Sequence, residues 1–87
     1  MGNTEKKLSE AMEALDEGRY QNSFDIFRPL AEHGDPKAQF HLGFLYRIGQ
    51  AVKQDYQQAY HWYLLSAKQG YAEAQYKVGL MNYKGQV

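Results

Sequence analysis

Slid along itself by 36 residues, the sequence falls back onto itself through most of its length, and this period constrains the fold more than any other feature. The stretch "GDPKAQFHLG" from Gly34 lands on "GYAEAQYKVG" from Gly70, pairing Ala38 with Ala74, Gln39 with Gln75, Leu42 with Val78, Gly43 with Gly79 and, further on, Gly49 with Gly85. In the same register "DYQQAYHWYLLSAKQG" (55–70) lands on "RYQNSFDIFRPLAEHG" (19–34), with Tyr56 on Tyr20, Ala59 on Ser23 and Ala67 on Ala31. Self-similarity at this length is the signature of a stacked repeat array.

Each unit reads as two helices. The first, A, spans roughly 36–48: Asp35 is a helix-capping type, Pro36 suits the first helical position, and apolar residues recur at Ala38, Leu42, Leu45 and Tyr46. The second, B, spans roughly 55–69, where Ala59, Trp62, Tyr63, Ser66 and Ala67 form a stripe at helical spacing. The same register places further A helices at about 4–17 and 71–83 and a B helix at about 20–32. The expected fold is therefore all-α: an α/α solenoid of antiparallel helix pairs, five helices and about two and a half repeats. Gly43 inside a helix costs roughly 1 kcal/mol relative to Ala, and a neighbouring backbone too close for a side chain supplies the reason. The small residues at fixed positions, Ala38/Ala74, Gly43/Gly79, Ala31/Ala67 and Ser23/Ala59, are what closely packed antiparallel helices need.

These residues carry a family pattern. Ala38, Leu42, Gly43, Tyr46 and Gly49, followed by Val52, Asp55, Ala59, Trp62, Ala67 and Gly70, resemble the Sel-one-like repeat, a relative of the tetratricopeptide repeat, over residues 19–87. The usual Gly-x-Gly-Val between the helices reads Gly49-Gln50-Ala51-Val52, Asn82 stands where Tyr46 stood, and the first A helix keeps almost none of the pattern, as a terminal capping helix would. The resemblance implies a superhelix with A helices along its concave side, where partners bind, and adaptor or regulatory roles in bacterial or eukaryotic complexes.

Composition sets the outer limits. With 87 residues, 44% hydrophobic and 23% charged, the chain suits one small domain, residues 1–87. No cysteine is present, which excludes disulfides, thiolate metal sites and cysteine catalysis and leans towards a reducing compartment. The start, "MGNTEKKLSE", has no apolar run behind its charges and reads as neither signal peptide nor anchor. The expected location is the cytoplasm, or the periplasm or exterior had a leader been removed. No stretch approaches the roughly 20 apolar residues of a membrane span. Ten Lys and Arg balance ten Asp and Glu, which argues against nucleic acid. The halves differ, however: residues 1–35 carry eight acids against four bases, and residues 36–87 six bases against two acids.

Catalytic chemistry has little to stand on. His33, His41 and His61 form no close ligand pair, so no metal site is expected, and the glycines follow the repeat rather than any dinucleotide or phosphate motif, so no cofactor is expected. The carboxylates of the first A helix read as a solvated face. No catalytic residue stands out.

The repeat does point to a surface. If Leu42, Gly43 and Tyr46 turn to the partner B helix, the opposite face of the second A helix presents Lys37, Phe40, His41, Phe44 and Arg47. The same face of the third presents Tyr76, Lys77, Leu80, Tyr83 and Lys84. Aromatic and basic groups interleaved in a concavity suit a protein or peptide segment carrying acidic groups. An aromatic stripe at helical spacing also suits a core, with Phe40 and Phe44 packed between neighbouring A helices and the lysines merely solvated. The expectation is a non-catalytic scaffold or adaptor binding a protein segment in this groove. A self-assembling module or fragment of a longer array, and a small hydrolase, are the alternatives. Ending at Val87, before any B helix could cover the third A helix, the sequence also predicts an uncovered strip of Ala74, Val78 and Met81 available for homodimerisation.

Overall fold

The computed structural model describes residues 2–86 and contains five helices: α1 (Gly2–Asp16), α2 (Tyr20–Glu32), α3 (Pro36–Ile48), α4 (Tyr56–Lys68) and α5 (Ala72–Lys84). No strand occurs among the described residues, and Val87 lies outside them. The helices begin and end where local chemistry directs. Asp35 caps α3 by accepting from the Ala38 N–H at 2.9 Å, with Pro36 in the first turn. Asp55 caps α4 by accepting from the Gln57 and Gln58 N–H groups at 3.0 and 3.1 Å. Gly49, in the left-handed conformation at φ 72°, closes α3 by donating its N–H to the Leu45 carbonyl. The link to α4 holds a second left-handed residue, Ala51 at φ 70°, where the family pattern places glycine.

Each helix packs on its neighbour in chain order, α1 on α2, α2 on α3, α3 on α4 and α4 on α5. Two apolar clusters result. Leu8, Ala11, Phe24, Phe27, Ala31, Ala38, Leu42 and Leu45 join α1, α2 and α3; Phe40, Ala59, Tyr63, Ala74 and Met81 join α3, α4 and α5. Tyr46 packs against both. Glutamines pin the repeats together in the same register: Gln39, buried, donates to the Ala31 carbonyl and Gln75, exposed and 36 residues on, donates to the Ala67 carbonyl, each at 3.1 Å. Ser66 adds a cross-helix bond by donating to the Pro36 carbonyl at 2.7 Å.

Gly43 is explained by α4. A methyl group in its place would stand 3.0 Å from Tyr63 Cδ1 and 3.1 Å from the Ala59 carbonyl oxygen, so α4 lies as close as a glycine allows.

Two expectations about faces are corrected. Leu42 turns to α1 and α2 rather than to α4. Ala74 and Met81 are not an uncovered strip: they are 0% and 2% exposed, packed in the α3–α5 cluster with Val78 against them. The reason is that an inner A helix is covered from two sides. Its Ala38/Leu42/Leu45 face, repeated as Ala74/Val78/Met81, meets the preceding B helix, and its glycine face meets the following one.

Candidate binding groove

Three depressions are lined by residues of α1, α3 and α5. One, of about 310 Å³, lies among Leu15, Phe40, His41, Phe44, Glu73 and Lys77. A second, of about 150 Å³, shares Lys77 and adds Arg47, Leu80, Met81, Lys84 and Gln86. A third, of about 570 Å³, is formed by Lys37 with Glu5, Leu8, Ser9 and Met12 of α1. Lys37, Phe40, His41, Phe44, Arg47, Lys77, Leu80 and Lys84 thus line one side of the molecule. Tyr76 and Tyr83 do not. They project from another face of α5, 67% and 89% exposed.

Of the two places open to it, Phe40 takes the core, 7% exposed with its ring 5.4 Å from that of Tyr63 and 5.3 Å from that of Tyr71, while still lining one depression. Phe44, half-buried, lines the same depression. His41 is held by a stacked contact with Phe27, centroids 5.1 Å apart, and an edge contact with Phe40. Its pKa is lowered to about 4, chiefly because burial penalises the cation and secondarily because Lys37 is close; Glu73 and Asp16 act in the opposite sense. At neutral pH the groove centre is therefore an uncharged imidazole.

Among the described residues the cations around it have no carboxylate partner. Two ion pairs occur among the described residues, Glu17 with Arg19 at 2.7 Å and Arg28 with Glu32 at 3.2 Å, and both belong to the acidic half. Arg47, Lys77 and Lys84 make none, and the Arg47 Nε is buried without a hydrogen-bond partner. The Tyr63 hydroxyl is likewise buried and makes no hydrogen bond of good geometry; burial raises its pKa, and the Arg47 guanidinium beside it partly opposes this by a side-chain polar contact and by its charge.

One groove escaped the sequence reading. Between α1 and α2, on another side of the molecule, Thr4, Lys7, Ile26, Pro29, Leu30 and His33 line a space of about 520 Å³. The signal lay in the register: Lys7 occupies the position of Gly43, and where glycine lets α4 close onto α3, the lysine stands beside an open groove.

Among the described residues no group of three His, Asp or Glu side chains could hold a metal ion, and no helix is long and apolar enough to cross a membrane. Antiparallel helix pairs repeated every 36 residues, with glycine at the crossing and glutamine pins in register, define an α-helical repeat protein of the solenoid class. The family model described as Sel1 repeat matches residues 36–71, which is α3 with α4, and again residues 72–87, together more than half of the sequence, and the chain belongs to that family. Its repeats are non-catalytic scaffolds that generally mediate protein–protein interaction. Comparison with curated proteins returned no match.

Proposed function

We propose that residues 1–87 act as one non-catalytic adaptor unit that binds an acidic protein segment along the groove of α1, α3 and α5. One observation carries this reading: Arg47, Lys77 and Lys84, without carboxylate partners among the described residues, surround depressions whose apolar wall is Phe40, Phe44 and Leu80. The cations steer and orient an acidic segment, and the apolar wall supplies the residues whose truncation costs most. Absence of cysteine favours the cytoplasm as the setting.

Affinity capture from the source lysate tests the proposal when wild type is compared with Phe44→Ala and with Arg47→Glu/Lys77→Glu. A partner retained by wild type, weakened by salt and by the charge reversal and lost with Phe44→Ala is the expected result. Binding indifferent to salt and to both variants would place the partner on another face.

A further inference from the structure

Three cations meet at one small seat between α3 and α5. Arg47, Lys77 and Lys84 line the depression of about 150 Å³ whose other walls are Leu80, Met81 and Gln86, with no carboxylate among the lining residues. Both helices that bound it are present, and the glycine face of α5 takes no part in it. Its charge is not a product of the repeat. The residues 36 positions before the three cations are Ala11, His41 and Ile48, so the matching place between α1 and α3 carries no such cluster. Arg47 and Lys77 are half-buried, which narrows where their charged ends can lie. The Arg47 guanidinium rests beside the Tyr63 hydroxyl, yet its Nε is buried without an acceptor and the hydroxyl makes no hydrogen bond of good geometry. A buried donor left unpaired is costly, so turning this guanidinium to an anion sacrifices no protein hydrogen bond and relieves an orphan.

We propose that this seat takes the phosphoryl group of a phosphoserine or phosphothreonine in a partner protein, an assignment that rests on the adaptor reading above and specifies what the acidic segment carries. A carboxylate brings a single charge. A phosphorylated side chain brings about 1.5 to 2 charges and three acceptor oxygens, the better match for three cations with no acid among them. Arginine's planar fork pairs with phosphate through two parallel N–H···O bonds, and the lysines act beside it as point charges. Glu73, one turn before Lys77 on α5, is the nearest carboxylate along that helix face; it lines the neighbouring depression and makes no ion pair with Lys77. The size agrees as well. A space of about 150 Å³ admits a phosphoryl group on a short stem, and the Phe44 depression that shares Lys77 takes apolar neighbours of the same segment. An apolar border in place of a wider basic field, on a chain of zero net charge, favours a protein segment over an anionic lipid surface.

Fluorescence anisotropy with degenerate nonapeptide pools tests the proposal, one pool centred on phosphoserine and phosphothreonine, one on serine and threonine, and one on glutamate, with NMR of the isotope-labelled protein locating the contact. The phosphorylated pool is expected to bind about tenfold tighter than the glutamate pool and to shift the Arg47 Nε–H resonance together with the backbone amides of Lys77, Leu80 and Lys84. Arg47→Lys keeps the charge and loses the fork, so it should weaken the phosphorylated pool by about tenfold and narrow its lead over the glutamate pool, with helical circular dichroism unchanged. Lys77→Gln/Lys84→Gln should abolish the preference. A glutamate pool bound as tightly through the same residues would overturn the phosphoryl seat and leave the acidic-segment groove standing; if no pool moved a resonance of α3 or α5, both would fall. Vesicles containing a phosphorylated inositol lipid that shift these resonances, where the phosphorylated pool does not, would also overturn it, since the seat would then read a membrane.

Discussion

Gly43 and Gly79 hold the same place in the repeat, and the structure assigns them opposite responses to the same change. Replacing either by alanine removes the helix-interior penalty of glycine, about 1 kcal/mol. At Gly79 nothing stands within 4 Å of the new methyl, so nearly the whole gain should appear as stability. At Gly43 the methyl meets Tyr63 carbons at 3.0 and 3.1 Å and the Ala59 carbonyl oxygen at 3.1 Å. Neither yields easily. The carbonyl is part of α4, and Tyr63 is 0% exposed with no room to swing away. Overpacking of this kind costs about 1–3 kcal/mol, which outweighs the propensity gain and leaves Gly43→Ala destabilised by about 1 kcal/mol. In a domain of this size 1 kcal/mol moves Tm by about 4–8 °C, so the two variants should part in opposite directions from wild type. Thermal unfolding followed by circular dichroism reads the difference. If Gly43→Ala stabilised as much as Gly79→Ala, α4 would not be seated on Gly43 and the account of this glycine would be wrong.

Two further perturbations test the link and the groove. Ala51 at φ 70° carries the roughly 1–2 kcal/mol cost of a side chain in the left-handed region, part of which returns as unfolded-state entropy when glycine replaces it, so Ala51→Gly should stabilise by about 0.5–1 kcal/mol in urea titration, and a loss of stability would refute strain at this link. For His41 the folded pKa of about 4 lies below the ordinary 6.5, so the unfolded chain takes up the proton first; the stability held at pH 7 should fall as pH drops from 6.5 towards 4, by an amount on the order of 3 kcal/mol at the low end. His41→Phe should flatten this fall between pH 6.5 and 5, before carboxylates titrate, and an unchanged slope would assign it to another group.

The period, the approximate helix boundaries and the Asp35–Pro36 start of α3 were legible in the sequence, and the Asp55 and Gly49 caps rest on equally local chemistry. Asp35 and Pro36 start α3, Asp55 starts α4 and Gly49 ends α3, whatever lies around them. The small residues at Gly43 and Ala59 announced close helix contact for the same reason. Eight of the ten residues placed on one face by the repeat line the depressions along α1, α3 and α5, since spacing along a helix determines which side chains share a stripe.

What one-dimensional spacing cannot supply is the absolute rotation of that stripe. An A helix inside a solenoid is covered by the B helix before it and the B helix after it, and two apolar stripes about a third of a turn apart look alike in a sequence. Only the packing showed that Ala74 and Met81 face back into the molecule while Gly79 faces out, and that Phe40 is core while Phe44 meets the groove. Burial depends on which neighbour lies over a residue, and that is decided by the crossing of helices distant in the chain. The sequence by itself determined the helices and their repeat; the tertiary structure decided which of their faces were left open.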